Sequence, residues 1–426
     1  MHRDFDKNTS KMSVVCTRRA DGVLEIDGSS GEGGGQILRS SLALSAITKT
    51  PIEMKHIRGK RPKPGLQRQH TVCVQAAAQI CGASVEGGEE GSTVLRFTPG
   101  ATPTPCLASY SFDIGTAGSS TLVLATILPI LWAGLREAPA TVRISGGTHN
   151  PHAPCVDFLV RTLLPALRAF GLGQLEVASP RLGFYPAGGG LLVCTISPLP
   201  TAAPPPAPAA ALPFSTCSAV ESVRLSLLTT RAFPAAVAKA HTRALAAAAG
   251  LPCEAIGQRS VEASGSAACA LAEVQRSPGE GGTVEVCAAY SERRGQSSED
   301  FAGALWRDAC RLKGTAAPLS HHTADQLVLP LLLFSAGAEY VCESLEGDAH
   351  FSTNVGVCEA FLGGGLVSAE SRGAGEGGGG GGGEVAAGVR VRISPRAYFG
   401  GGAAERAALA PPGAEQSSQE KRARLE

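Results

Sequence analysis

The sequence carries no strong excess of either charge. Lysine and arginine number 38 against 37 aspartate and glutamate, 18% of the 426 residues are charged, and the net charge is +1. No global field therefore draws the chain to nucleic acid or anionic lipid, and any anion site must be a local concentration of charge. Paired cysteine motifs are also missing. The 13 cysteines are scattered, odd in number and form no C-x-x-C, which argues against a disulfide framework or zinc ribbon and for a reducing compartment. The stretch 116–135 carries no charge and could mimic a membrane span, but it contains Gly118, Ser119, Ser120, Thr126 and Pro129, so a buried core helix is expected there. Met1 to Asp21 has no apolar h-region, so neither a signal peptide nor a clean transit peptide is expected.

Hydrophobic residues are plentiful, at 43%, enough for large buried cores, and wholesale disorder is excluded. The length suits two or three folded units. Glycine (53) and proline (28) are over-represented, and much of the excess lies in two low-complexity runs.

Three segments follow one order of elements. The first has a strand at Val23 to Ile26, a glycine loop, a helix over Gln36 to Ile47, a strand at Ile52 to Ile57, a polar loop, a helix from His70 to Cys81 and a hairpin ending in Thr93 to Phe97. The second has Tyr110 to Ile114, a helix from Ser119 to Leu135, Thr141 to Ile144, the loop Gly146 to Pro154, a helix from Val156 to Phe170 and a hairpin closing on Leu191 to Ile196. The third has a helix from Asp325 to Ala336, a strand near Tyr340 to Glu343, the loop Gly347 to Thr353, a helix from Asn354 to Leu362 and a last strand from Gly388 to Ile393. The expected fold is therefore α/β, built from three βαβαββ-like repeats, each too small to hold a core alone. Between the second and third lies a Pro/Ala linker and then a small α/β insert, with Val220 to Leu228, Pro234 to Gly250 and Thr283 to Tyr290 as its elements. Ser297 to Asp300 reads as the cap of a helix carrying Phe301, Leu305 and Trp306. The expected division is a disordered extension at 1–21, core repeats one and two at 22–202, an insert at 203–297, the third repeat at 298–395 with a glycine-rich loop at 371–387, and a disordered tail at 396–426.

Gly28 to Gln36 joins a strand to a helix through a glycine loop whose backbone N–H groups can cradle a phosphate. No Gly-Lys-Ser/Thr follows, so it is not a P-loop, and Gln36 breaks the dinucleotide pattern. Glu32, an acid beside a phosphate site, hints at a divalent cation between the two. Lys55, Arg58, Lys60, Arg61, Lys63 and Arg68 fall in one stretch without an acid, stiffened by Pro62 and Pro64. That stretch reads equally as a solvated basic loop or as a preorganised phosphate site. His350 occupies a strand-to-helix loop, and imidazole, neutral at pH 7, suits nucleotidyl transfer. His149 and His152 have a loose metal-ligand spacing, but no partnering Cys or acid pattern was found, so zinc is not expected there.

Taken together, these strings resemble the RNA 3'-terminal phosphate cyclase family. The blocks are EIDGSSGEGGGQILR (Glu25 to Arg39), IRGKRPKPGLQRQH (Ile57 to His70), DIGTAGSS (Asp113 to Ser120), GGTHNPHAP (Gly146 to Pro154), GFYPAGGG (Gly183 to Gly190), ADQLVLP (Ala324 to Pro330) and HFSTN (His350 to Asn354), in family order. The resemblance implies repeats like those of enolpyruvyl transferases and an ATP-dependent enzyme that turns an RNA 3'-phosphate into a 2',3'-cyclic phosphate. It casts His350 as the nucleophile that carries AMP, and Glu32 as the holder of Mg²⁺ or Mn²⁺. Arg39, Arg58, Arg61 and Gln69 would bind RNA or ATP phosphates, while Pro154, Asp325 and Gln326 would line the adenosine pocket with His350. Two of these pocket positions depart from the family. Ala125 stands where members commonly have Gln, and His321-His322-Thr323 replaces Glu-Tyr-Leu, with His322 in place to stack on adenine. The implied partners are ATP and RNA with a 3'-terminal phosphate, with no membrane and no stable protein partner. Two other functions stay open: an inactive cyclase-like branch of ribosome assembly, which lacks the nucleophilic histidine, and an enolpyruvyl transferase. An intracellular protein is expected. Lys421-Arg422-Ala423-Arg424 favours the nucleus over the cytoplasm.

Overall fold

The computed structural model describes residues 14–101, 106–135, 137–200, 214, 219–276, 283–291, 296–335, 337–371 and 388–394. Most of the linker before the insert, the Gly377 to Gly383 run, and the tail with its basic cluster lie outside these residues.

The first unit runs β1 (Cys16–Arg18), β2 (Leu24–Asp27), α1 (Gly35–Thr48), β3 (Ile52–Lys55), α2 (Arg68–Cys81), β4 (Ser84–Glu86) and β5 (Leu95–Thr98). Its strands lie in the order β1-β2-β3-β5-β4, with β2 parallel to β3 and β5 antiparallel to both of its neighbours. The second unit runs β6 (Ser109–Asp113), α3 (Ser120–Gly134), β7 (Ala140–Gly146), a helical stretch α4 over 156–169, β8 (Leu175–Arg181) and β9 (Gly190–Ile196). Its order, β6-β7-β9-β8, and its mixture of parallel and antiparallel pairs repeat the first. Within α4 a π turn spans Leu159–Leu163, just ahead of Pro165, which has no N–H to continue a regular ladder.

The third unit supplies α7 (His321–Phe334), β14 (Ala338–Cys342), α8 (Ala349–Leu362), β15 (Val367–Ser371) and β16 (Val389–Ile393), in the sheet β14-β16-β15. Where the other units have a first strand, a single parallel bridge joins Leu319 to Cys342. Helices α3 and α7 share further details. Ser119 and Ser320 cap them through their hydroxyls, and Pro129 and Pro330 occupy the same step along each.

The helices of the three units pack against one another. α1 packs on α2, α3 and α8, and Trp132 of α3 meets Phe334 of α7 edge-to-face at 5.7 Å. One apolar core, from Leu24 to Ile393, runs through all three. α3 is buried along most of its length, and among the described residues no helix is long and apolar enough to cross a membrane.

The insert has its own sheet, β11-β10-β12-β13, from β10 (Val220–Thr230), β11 (Gly257–Val261), β12 (Ala268–Arg276) and β13 (Val284–Tyr290). Its helices are α5 (Ala235–Ala249) and α6 (Ser298–Lys313). Two domain boundaries expected from sequence are corrected here. α6, which the expected division gave to the third repeat at 298, buries Phe301, Leu305 and Leu312 in a second core with Leu225, Leu245 and Val274 of the insert. The extension, expected to be disordered over 1–21, holds β1, because Val15 exchanges backbone and Ser30 Oγ bonds at 3.0 Å with the start of the glycine loop. A three-residue strand is too short to show a period in sequence.

Candidate active site

The turn between β2 and α1 brings three distant segments together. Gly31 has φ +53° and Gly33 φ +60°; a β carbon on Gly31 would lie 2.2 Å from Thr353 Oγ1, and one on Gly33 2.5 Å from the Lys60 side chain. Only glycine lets the loop pass between α8 and the basic loop this closely. The contacts are then specific. Glu32 N–H donates to Thr353 Oγ1 at 2.9 Å, Lys60 Nζ to Gly31 O at 2.9 Å, and Ser40 Oγ to Asn354 Oδ1 at 2.8 Å.

These contacts set His350 over the loop. The expectation of a loop from Gly347 to Thr353 is corrected: α8 begins at Ala349, and Asp348 Oδ1 accepts the N–H groups of His350 and Phe351 at 2.9 and 3.1 Å. His350 therefore stands on the first turn of a capped helix, more rigidly than a loop residue would. Its ring is 54% exposed, and Nδ1 lies 3.8 Å from Oε2 of Glu32, whose own side chain is only 4% exposed. Glu32 Oε1 accepts the Gln36 N–H at 3.1 Å, which caps the start of α1, and Arg61 forms an ion pair with the other oxygen. A guanidinium thus stands where the sequence suggested a cation would be needed.

The other expected phosphate ligands are placed as follows. Arg39 NH2 donates to Gln36 Oε1 at 2.6 Å, with burial holding its guanidinium below the usual range. Arg58, at φ +55°, turns NH1 onto the carbonyls of Lys63 and Gly65 at 2.6 and 3.0 Å, so one arm of its fork braces its own loop. Gln69 Oε1 accepts the Ser119 N–H at 2.7 Å and ties the first unit to the cap of α3.

Sequence reasoning gave no role to His70, although it closes the basic block. Burial, then the Arg39 and Arg58 cations, push its imidazole down to about 3. Nδ1 accepts the Gln67 N–H at 3.2 Å, which places the proton on Nε2, close to Gly35 at the start of α1. It is a neutral donor in the midst of the cationic group.

Asp325 is buried on α7. Its Oδ1 and backbone carbonyl accept Asn354 Nδ2 at 3.1 and 3.0 Å, and Oδ2 accepts Gln326 Nε2 at 2.9 Å. Burial and the neighbouring Asp348 charge raise its carboxyl to about 6. Because Asn354 lies one turn beyond His350, Asp325 anchors the face of α8 that carries the histidine. The helix itself starts four residues earlier than expected, at His321 rather than Asp325. Pro154 O accepts Thr121 Oγ1 at 2.7 Å. Ala125 lies one turn along α3 from that threonine, at the step Gln326 occupies on α7. His322 is exposed, its ring 3.9 Å from that of His321, which pairs with Glu343.

Glu32, Arg61, His350, Arg39, Asp325 and Gln326 thus form one linked cluster around the start of α1. Arg58, whose carbonyl accepts the Arg61 N–H at 3.0 Å, flanks it together with Gln69, Pro154, Ala125 and His322 from neighbouring elements. Chemically, the cluster offers an exposed imidazole, a row of fixed cations and the backbone N–H groups of a helix start, which together suit a phosphoanhydride.

A family model described as RNA 3'-terminal phosphate cyclase matches residues 30–366, a span that includes every candidate residue. A protein of Ralstonia nicotianae named RNA 3'-terminal phosphate cyclase is 40% identical over 339 residues, covering 80% of this chain and 91% of its own. One of the same name from Salmonella typhimurium is 40% identical over 356 residues, covering 80% and 94%.

Proposed function

The chain belongs to the RNA 3'-terminal phosphate cyclase family, and on that premise we propose that it uses ATP to convert an RNA 3'-terminal phosphate into a 2',3'-cyclic phosphate. The observation that carries this reading is the meeting of His350, Glu32 and Arg61, from three separate blocks, over the start of α1.

With Nδ1 turned toward Glu32, Nε2 of His350 is the attacking atom. It forms a bond to the α-phosphorus of ATP as the bond to pyrophosphate breaks, leaving AMP on the histidine. An oxygen of the RNA 3'-phosphate then takes the AMP and frees the imidazole. The neighbouring 2'-OH loses its proton, attacks the 3'-phosphorus and expels AMP, which closes the ring. In each step the chain's work is to hold reactants in line and offset phosphate charge. Arg61, Lys60 and Arg39 supply cations, His70 a neutral N–H, and the first turn of α1 its backbone donors. Asp325 and Asn354 keep the His350 face of α8 oriented.

The residues present fit a divalent metal. Glu32 offers one hard carboxylate beside the phosphate position, the usual share of protein ligation when phosphates provide the rest. Bound there, Mg²⁺ or Mn²⁺ would neutralise phosphate charge, and Arg61 would be released to grip an oxygen. Pro154, Ala125, Gln326 and His322 are assigned to the adenosine side.

The test is conversion of a 5'-labelled RNA bearing a 3'-phosphate, with ATP and Mg²⁺. The expected product resists phosphatase, and one AMP is released for each end closed. An end that stays phosphatase-sensitive while ATP is present would contradict the reading.

A further inference from the structure

A second cluster of ligand-type side chains lies away from His350, at the junction of the second unit with the insert. His149, in the loop after β7, and Cys155 and Asp157, at the start of α4, bring an imidazole nitrogen, a thiol and a carboxylate oxygen within 4.8 Å of one another. The sequence gives His149 and His152 a loose metal-ligand spacing, without a partnering Cys or acid pattern, and zinc is not expected from it. His152 is in fact exposed and stands apart, while the turn through Pro154 folds Cys155 and Asp157 back onto His149.

His149 is wholly buried, its ring stacked 4.9 Å from that of Phe184. Nε2 lies 2.8 Å from Asp157 Oδ2, and Nδ1 lies 2.9 Å from Thr148 Oγ1. Both ring nitrogens are therefore engaged, and neither is free to activate Cys155 as a nucleophile. A cysteine-based catalytic group is excluded on that ground and by the burial of the thiol. An independent feature points to a ligand. Among the described residues the Tyr290 hydroxyl of β13, shut off from solvent, makes no well-aligned hydrogen bond and has only the thiols of Cys155 and Cys269 beside it. A neutral thiol is a poor acceptor for a phenol, whereas a thiolate is a strong one.

We propose that His149, Cys155 and Asp157 bind a zinc-type divalent ion that fastens the 148–158 segment beneath the insert sheet. Imidazole, thiolate and carboxylate form the donor set of Zn²⁺ rather than of Mg²⁺. On binding, Cys155 loses its thiol proton to solvent and forms the metal–sulfur bond. His149 moves its proton from Nε2 to Nδ1 and ligates through Nε2. The Thr148 hydroxyl can then turn its hydrogen from Nδ1 toward Gly183 O, 3.3 Å away, and accept the Nδ1 proton instead. Tyr290 gains the thiolate as its acceptor.

The probe is Co²⁺ titrated into the full-length protein after treatment with a chelator. Stoichiometric binding is expected, with a sulfur-to-cobalt charge-transfer band and intense visible bands of tetrahedral cobalt, both displaced by one equivalent of Zn²⁺. Cys155→Ser should remove the charge-transfer band. His149→Asn, with its fold checked by circular dichroism, should weaken binding at least tenfold. Cys310→Ser, at an exposed thiol, should change neither. Absence of stoichiometric binding, or a charge-transfer band that survives both Cys155→Ser and His149→Asn, would overturn the proposal.

Discussion

Arg61 and Glu32 neutralise each other in the absence of phosphate, and His350 waits beside them. In the proposed reaction a phosphate entering this space would replace the carboxylate on the guanidinium, and Arg61 would act through a charge-assisted fork aimed where negative charge develops. Replacing Arg61 with alanine is expected to leave the chain folded but with a lower melting temperature, because Glu32, whose side chain is 4% exposed, loses its cation. The same variant should lower the rate of RNA cyclisation by about 100- to 1,000-fold, which corresponds to roughly 3–4 kcal/mol of lost transition-state stabilisation. Steady-state rates at limiting and saturating RNA check this, and unchanged rates at both would remove Arg61 from the site. Arg58 differs from its neighbour in that its guanidinium already holds two carbonyls. That distinction could not be read from sequence, where the two arginines look alike three positions apart. Glu32 as a site residue was legible because an acid in a glycine loop demands an explanation, but its partner was not. His70 had no such mark in sequence, for only burial and two nearby cations keep its imidazole neutral.

The glycine loop, the basic loop and α8 work as interlocking elements. Gly31→Ala puts a β carbon into Thr353 at a backbone angle that L-residues avoid. The variant is expected to lose about 1–3 kcal/mol of stability and to label slowly with nucleotide, because the loop must withdraw from the start of α8. Adding Thr353→Ala should recover part of the melting temperature but not the labelling rate, since the Glu32 N–H would lose its acceptor. Thermal melts paired with labelling time courses separate the two effects. Equal stability of Gly31→Ala and wild type would show that the elements are not locked as described. At this scale the order of strands and helices was legible, since apolar spacing marks α1 and the uncharged run 116–135 marks α3, each to within a few residues. Helix starts were less so. Asp348 and Ser320 are ordinary capping residues, yet the turns they cap contain histidines and no apolar period. β12 was missed for another reason. It lies between β10 and β13 and is buried on both faces, so its alanines and cysteine show no alternation.

Across the whole molecule, the insert touches the core at a buried carboxyl. Glu285 of β13 accepts the Ser320 N–H at 3.1 Å and Thr323 Oγ1 at 3.0 and 2.9 Å, at the cap of the helix that carries Asp325. Burial raises this carboxyl from 4.5 to about 7. The folded state therefore holds a proton that the unfolded chain has released, and stability falls as pH rises from 4.5 to 7. Glu285→Gln removes that slope. Relative to wild type, the variant is expected to gain about 2.5 kcal/mol more at pH 8 than at pH 5, read from urea melts at the two values. An equal shift at both pH values would show that the carboxyl is ionised when folded. On the proposed function the same architecture gives each unit a part in one reaction centre. The first brings Glu32, Arg39 and Arg61, the third brings His350 and Asp325, and the second flanks them with Pro154 and Ala125. The most direct measurement of that arrangement is incubation of wild type and His350→Ala with α-labelled ATP and Mg²⁺, followed by peptide mapping. Wild type is expected to carry acid-labile, base-stable label on the peptide containing His350. His350→Ala should carry none, yet still close an RNA end supplied already adenylylated, since that step uses the RNA's own 2'-OH. Label persisting in His350→Ala, or mapping to another histidine of the wild-type chain, would contradict the account.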